Sequence, residues 1–246
     1  MVIIYGRLTF TNELLGTASG DPEVHNAYIA SKAPDAPSLE EEVASIGVEG
    51  VVADKKTVFS RDPKTKAVHI WDYQLKGQFK SAIGALRTIE KPSKSSKAKA
   101  TASAADDGAE EKKKKNPAYA CGRITNYLKK VDTLVHVYPR RIKLHLPEGA
   151  EIGGCERPLR AKTAQGDRVA LANSETVPEG TYCDIQIVLF DDTHEEAIRE
   201  CLDFGAFHGL GQWRNSGKGR FMWQEMDEDG NLIETKNRFM PKILLE

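Results

Sequence analysis

Residues 193–226 read THEEAIRECLDFGAFHGLGQWRNSGKGRFMWQEM. Thr193 and Glu196 have the spacing of a capping box, and Ala197, Ile198, Cys201 and Leu202 follow as an apolar stripe at helical period. Gly209–Gly219 then holds four glycines in eleven residues, and RFMWQEM after it reads as a strand. Helix, glycine loop, strand is the wrong order for the familiar phosphate loops. A P-loop needs Gly-Lys followed by Ser or Thr between a strand and a helix, and the dinucleotide fingerprint also runs from strand to helix. Here Gly217-Lys218 is followed by Gly219.

The loop supports two readings. Glycine admits positive φ, so a run of such residues lets amide N–H groups converge on an anion. Arg214, Lys218 and Arg220 add charge for phosphates, and Trp213 offers a face to an unpaired base, worth roughly 1–3 kcal/mol. Together these residue types suit single-stranded nucleic acid. The plainer reading is a tight helix-to-strand turn with Trp213 in the core or at an interface.

Working outward, TYCDIQIVLF predicts a strand before this helix, with Ile185, Ile187 and Leu189 on one face. VIIYGRLTF predicts an N-terminal strand with Ile4, Leu8 and Phe10 on one face, and KKTVFSRD a short one. DYQLKGQFKSAIGALRTI predicts a helix buried through Leu75, Phe79, Ile83 and Leu86 and capped by Asp72. Gly77 within it costs roughly 1 kcal/mol relative to Ala, which implies close approach of a backbone or ligand. DTLVHVYPRRIKLHL alternates on both sides of Pro139, and DEDG turns the chain into a last strand or tail. Residues 11–43 read as a loop with short helices at its ends. Residues 90–117, rich in Lys, Ala and Ser, read as a disordered low-complexity insertion whose Lys112–Lys115 run is a solvated charge tract. Residues 147–180 read as a loop-rich insertion. The whole, 1–246, is expected to form a single domain of α+β class, with helices on one face of an antiparallel sheet; the simplest such plan is the ferredoxin-like (RRM-like) βαββαβ core.

The 246 residues carry a net charge of −1, so a nucleic-acid site must be a local patch. Cys121, Cys155, Cys183 and Cys201 form no C-x-x-C pair and read as reduced thiols of a cytoplasmic protein; no metal site or cofactor is expected. The N-terminal MVIIYGRLTF, alternating and bearing Arg7, reads as neither a signal peptide nor a membrane span.

At the loop the sequence resembles the RAMP superfamily, the RNA-binding ferredoxin-like proteins of CRISPR systems. Gly209-Leu210-Gly211, QWRNS, Gly217-Lys218-Gly219 matches that family's glycine loop at every defined position. LTFTNELLGTASGD is similar to the first strand and turn of the backbone subunits of type III effectors. VFSRDPKTKAVHIWDYQLKGQFKSAI resembles their Arg-Asp-Pro segment and helix start; Leu75-Lys76-Gly77 are retained, Asp72-Tyr73-Gln74 replace Gly-Ser-Ser, and Lys80 takes the arginine place. ALANSETVPEGTYCDIQIVLF resembles their strand entry. The resemblance implies RNA bound along its backbone by Lys76, Gly77, Lys80 and the glycine loop, and assembly as a filament or with other RAMP-type subunits. A stand-alone prophage-encoded relative fits the layout too.

Arg157, Arg160 and Lys162, like Arg140 and Arg141, either extend that face or are solvated surface charges. Catalysis has two candidates. His25 lies in a loop after the first strand, where family endonucleases place a general acid or base, and Asp54 lies near the position of the aspartate that positions a metal in type III subunits, though neither its spacing nor its neighbours match. His69, His136, His145 and His208 read as structural, and His194 as exposed. Three functions stay open: a single-stranded RNA or DNA binder, a metal-independent endoribonuclease, and a phage protein that docks on or mimics a CRISPR or replication component.

Overall fold

The computed structural model describes residues 1–19, 56–90, 117–163 and 166–239. Within them the elements run β1 (Val2–Phe10), β2 (Leu14–Leu15), β3 (Ala18–Ser19), β4 (Lys56–Val58), β5 (Ser60–Arg61), β6 (Val68–Trp71), α1 (Asp72–Leu86), α2 (Tyr127–Leu134), β7 (Val135–Tyr138), β8 (Arg141–Lys143), β9 (Gly153–Thr163), β10 (Gly166–Val177), β11 (Tyr182–Leu189), α3 (Glu195–His208), β12 (Phe221–Met226) and β13 (Leu232–Ile233). The fold is mixed α+β.

Alternation builds the main sheet. Along β1, Ile4, Leu8 and Phe10 turn inward, and along β11, Cys183, Ile185, Ile187 and Leu189 do the same. The strand order is β13-β12-β1-β11-β7, and every neighbouring pair is antiparallel. The chain crosses from β1 to β7 by way of α1, and from β11 to β12 by way of α3. Both helices lie on the inward face, where Leu75, Phe79, Ile83, Ile198 and Leu202 meet the strands' apolar side chains in one core. A second sheet runs β2-β10-β4-β3 with β9 on β10; its β4–β10 pair is parallel and the others antiparallel. A third runs β5-β6-β8.

Helix starts differ from expectation. Asp72 does not cap α1; it is the first helical residue, and the Gln74 side chain reaches back to accept from the Trp71 N–H at 2.9 Å. At α3, Thr193 and Glu196 form no capping box. Asp191 takes that place, accepting from Thr193 N–H at 3.0 Å and Thr193 Oγ1 at 2.6 Å, and a single 3₁₀ turn precedes the helix. That turn folds His194 under, so it is buried rather than exposed, with Nδ1 3.0 Å from Asp191.

The segment 147–180 is not loop-rich. β9 and β10 pair over their whole length, from Gly153↔Thr176 to Thr163↔Gly166, as a two-stranded ribbon. Only Ser174 and the residues beside it pair further, with β4 and β2. Gly, Pro and charged residues break any apolar alternation along GGCERPLRAKT and GDRVALANSETV, which is why the pattern missed the ribbon. α2 escaped for another reason: Val131 is its only buried residue. Of the short helices expected at the two ends of 11–43, the first is replaced by the strands β2 and β3; the second, like Lys112–Lys115 and most of the expected insertion, lies outside the described residues. No helix among the described residues is long and apolar enough to cross a membrane.

Candidate nucleic-acid interface

α3 ends where Gly209 takes φ +67°, and Gly211, Gly217 and Gly219 follow at +78°, +82° and +70°. Two of these glycines exist for close packing. A Cβ on Gly209 would lie 2.7 Å from the Lys218 carbonyl oxygen, and one on Gly219 would overlap the Leu210 carbonyl. The loop is therefore folded back on itself, with Leu210 N–H donating to Gly219 O (2.8 Å) and Gly219 N–H to Glu13 O (2.8 Å). The N–H groups of Gly209, Leu210, Ser216, Gly217 and Gly219 all donate to protein carbonyls. These five amides are therefore engaged within the protein rather than converging on an anion.

Trp213 takes φ +55°, a conformation that costs a residue with a Cβ about 1–2 kcal/mol. It is half-buried rather than a core residue. The Arg157 guanidinium of β9 lies 5.5 Å from its ring centre and donates to Gln212 Oε1 at 2.6 Å. Gln212 in turn donates to Gly16 O at 3.1 Å. Ribbon, loop and the β2–β3 turn are thus tied together beside the indole.

Arg214 Nη1 lies 2.9 Å from His208 Nε2, and Ser81 Oγ of α1 is 2.8 Å from the same nitrogen. A guanidinium only donates, so Nε2 must accept and the ring proton belongs on Nδ1. Burial first, and Arg214 second, hold the imidazole below its ordinary pKa, which keeps it a neutral acceptor. Phe207, His208, Gly211, Trp213, Arg214, Asn215 and Arg220 line an open cleft of about 550 Å³. Arg220 is exposed at its rim.

The remaining expected cations are surface-paired. Lys218 Nζ meets Glu13 Oε2 at 2.5 Å, Lys80 meets Asp132 Oδ1 at 2.5 Å, and Lys76 reaches Asp132 O at 3.4 Å. Ion pairs near the surface are worth about 0–1 kcal/mol. Gly77 is exposed on α1, and a Cβ there would meet nothing within 4 Å; no backbone approaches it, contrary to expectation. Arg160 and Lys162 belong to β9, their side chains outside the described residues, as are His25 and Asp54 altogether. Among the described residues no cluster of His, Cys, Asp or Glu is arranged to hold a metal ion. His208, Ser81, Glu13 and Gln212 were not legible as site members: Ser81 and Glu13 reach the site from distant sequence, while Gln212 lies within the loop and His208 directly before Gly209.

No protein-family model matches the chain, and no curated protein does. Among solved structures, a chain of a type III-B Cmr-beta complex bound to cognate target RNA is similar at 9% identity and a TM-score of 0.48 over 94% of this chain. The protein spans 60% of that chain's length. A chain of a type IV-B CRISPR complex is similar at 11% identity and a TM-score of 0.42, covering 97% of both chains. At such identities the chemistry of the site rests on its own residues.

Proposed function

We propose that the protein binds single-stranded nucleic acid, RNA in preference to DNA, along the glycine-loop cleft. The observation that carries this reading is the cleft of about 550 Å³ that sets the Trp213 ring beside Arg214 and Arg220. A ring accepts a base by stacking and a guanidinium accepts a phosphate in a bidentate fork. Lys218, Lys76, Lys80 and the β9 cations Arg157, Arg160 and Lys162 extend the path, and Gly209, Gly211, Gly217 and Gly219 shape it. Gly77 leaves the α1 surface open to a backbone.

The core is read as one ferredoxin-like domain of RAMP type. In support, β12-β1-β11-β7 gives the order fourth, first, third, second among the core strands, with α1 and α3 as the crossovers. The glycine loop stands before the last core strand. Such a module belongs in an assembly with further subunits or copies along a shared strand, in a CRISPR-type or phage setting. No catalytic residue is assigned.

The test is fluorescence anisotropy with labelled single-stranded oligonucleotides across a salt series. Binding is expected to weaken as salt rises. Arg214→Ala and Arg220→Ala are each expected to lower the slope of log affinity against log salt by about 1, across all sequences. Absence of binding to any RNA or DNA strand at low salt would overturn the reading.

A further inference from the structure

Tyr73, Lys76, Gly77 and Lys80 stand at i, i+3, i+4 and i+7 of α1, so they share one face of the helix. The face carries a ring, then an ammonium group beside a residue with no side chain, then a second ammonium group. Lys76 and Lys80 both reach Asp132, which fixes their heads on that surface. Tyr73 is 46% exposed although it occupies the first turn. Its ring lies parallel to that of Trp71, 9° between planes and 6.3 Å between centres. Trp71 is itself immobilised: it is buried, its Nε1–H donates to Ser60 Oγ at 2.9 Å, and His69 meets its edge. The Arg140 guanidinium lies 5.4 Å from the Trp71 ring, and Arg140 is exposed.

A tyrosine that served only to cover Trp71 would gain most by burying its own ring. This one lies parallel to an immobilised ring and stays nearly half in solvent, one helical turn from the Lys76 ammonium group. A rigid ring beside a cation matches one nucleotide: a base for the ring, a phosphate for the cation. The position also continues the cleft. Gln74, the next residue, donates to Thr17 Oγ1 at 2.5 Å, and Gln212 of the glycine loop donates to the adjoining Gly16. The helix start and the loop therefore meet on the same turn.

We infer that Tyr73, backed by Trp71 and sharing its helix face with Lys76, is a second base-stacking station, reached by a single strand that leaves the Trp213 cleft and runs over the α1 face at Gly77. The inference rests on the proposed reading of that cleft. Its test compares a labelled RNA of about 15 nucleotides with an abasic strand of equal length, on wild type, Tyr73→Ala, Tyr73→Phe and the Arg214→Ala/Arg220→Ala pair. Tyr73→Ala is expected to weaken the base-bearing strand about tenfold and leave the abasic strand unchanged, while Tyr73→Phe binds as wild type. If the arginine pair weakens binding but Tyr73→Ala binds both strands as wild type does, this station is wrong and the cleft stands. If wild type binds neither strand, both fall together. Photocrosslinking of wild type with 5-iodouridine-substituted RNA decides the matter even should Tyr73→Ala fail to fold. An adduct on Tyr73 supports the station, and adducts at Trp213 with none on Tyr73 overturn it.

Discussion

Gly219 and Gly77 show how differently one residue type is used. At Gly219 a methyl would overlap the Leu210 carbonyl in a backbone held at φ +70°, so strain and clash act together. Gly219→Ala is expected to destabilise the fold by about 3 kcal/mol or more in urea unfolding. Gly77→Ala meets nothing and lies in a helix, so it should stabilise by about 0.5–1 kcal/mol while weakening oligonucleotide binding. His208 adds a pH dependence whose sign is fixed by its surroundings. Burial and Arg214 depress its pKa from the ordinary 6.5, so the unfolded chain takes up a proton that the folded ring resists. Its contribution to stability is complete above 6.5 and is lost as pH falls through the folded value. The urea midpoint of wild type should therefore decline in that acid range, and His208→Gln should flatten this part of the profile. Protonated Nε2 no longer accepts from Arg214, so the loop guanidinium is released over the same interval.

At the level of elements, the β9–β10 ribbon matters because Arg157 joins it to the glycine loop through Gln212 and the Trp213 ring. Arg157→Ala is expected to leave the core untouched, with a melting temperature close to wild type. It should nevertheless weaken strand binding severalfold, more than one lost phosphate contact explains, because the indole loses its support; tryptophan fluorescence reports the same loosening. This ribbon also marks the limit of reading elements from sequence. β1, α1, β11, α3 and β12 were legible because each buries one face, and Leu75-Phe79-Ile83 or Ile185-Ile187-Leu189 print that face as a period. The ribbon's sequence prints no such period, and α2 buries only Val131. Within the site, the glycines, Trp213 and the arginines were legible as residue types. Their use was not: the N–H groups of Gly209, Leu210 and Gly219 donate to Gly205, Gly219 and Glu13, and no local pattern encodes a contact between Glu13 and Lys218.

Across the molecule, the C-terminal part of the described chain is clasped to α3. Glu200 is buried and accepts from the Ala120 and Cys121 N–H groups at 3.0 and 2.9 Å and from Arg238 Nη1 at 3.0 Å. Asp203, whose carboxyl burial pushes up despite the Trp223 N–H at 2.7 Å, also faces Arg238. Arg238→Ala removes the guanidinium shared by two buried carboxylates. It is expected to cost about 2 kcal/mol in chemical unfolding, with Phe239 freed from Tyr119. The described residues on either side of 91–116 meet one another. Glu90 and Pro117 form an isolated antiparallel bridge, and Ala118 N–H donates to Ile89 O at 3.0 Å. Residues 90 and 117 are therefore neighbours at one seam. Most compact domains have neighbouring ends, so a fluorescent protein spliced in place of residues 91–116 would hang from that seam as a reporter, leaving the strand order and the core beneath it as they are.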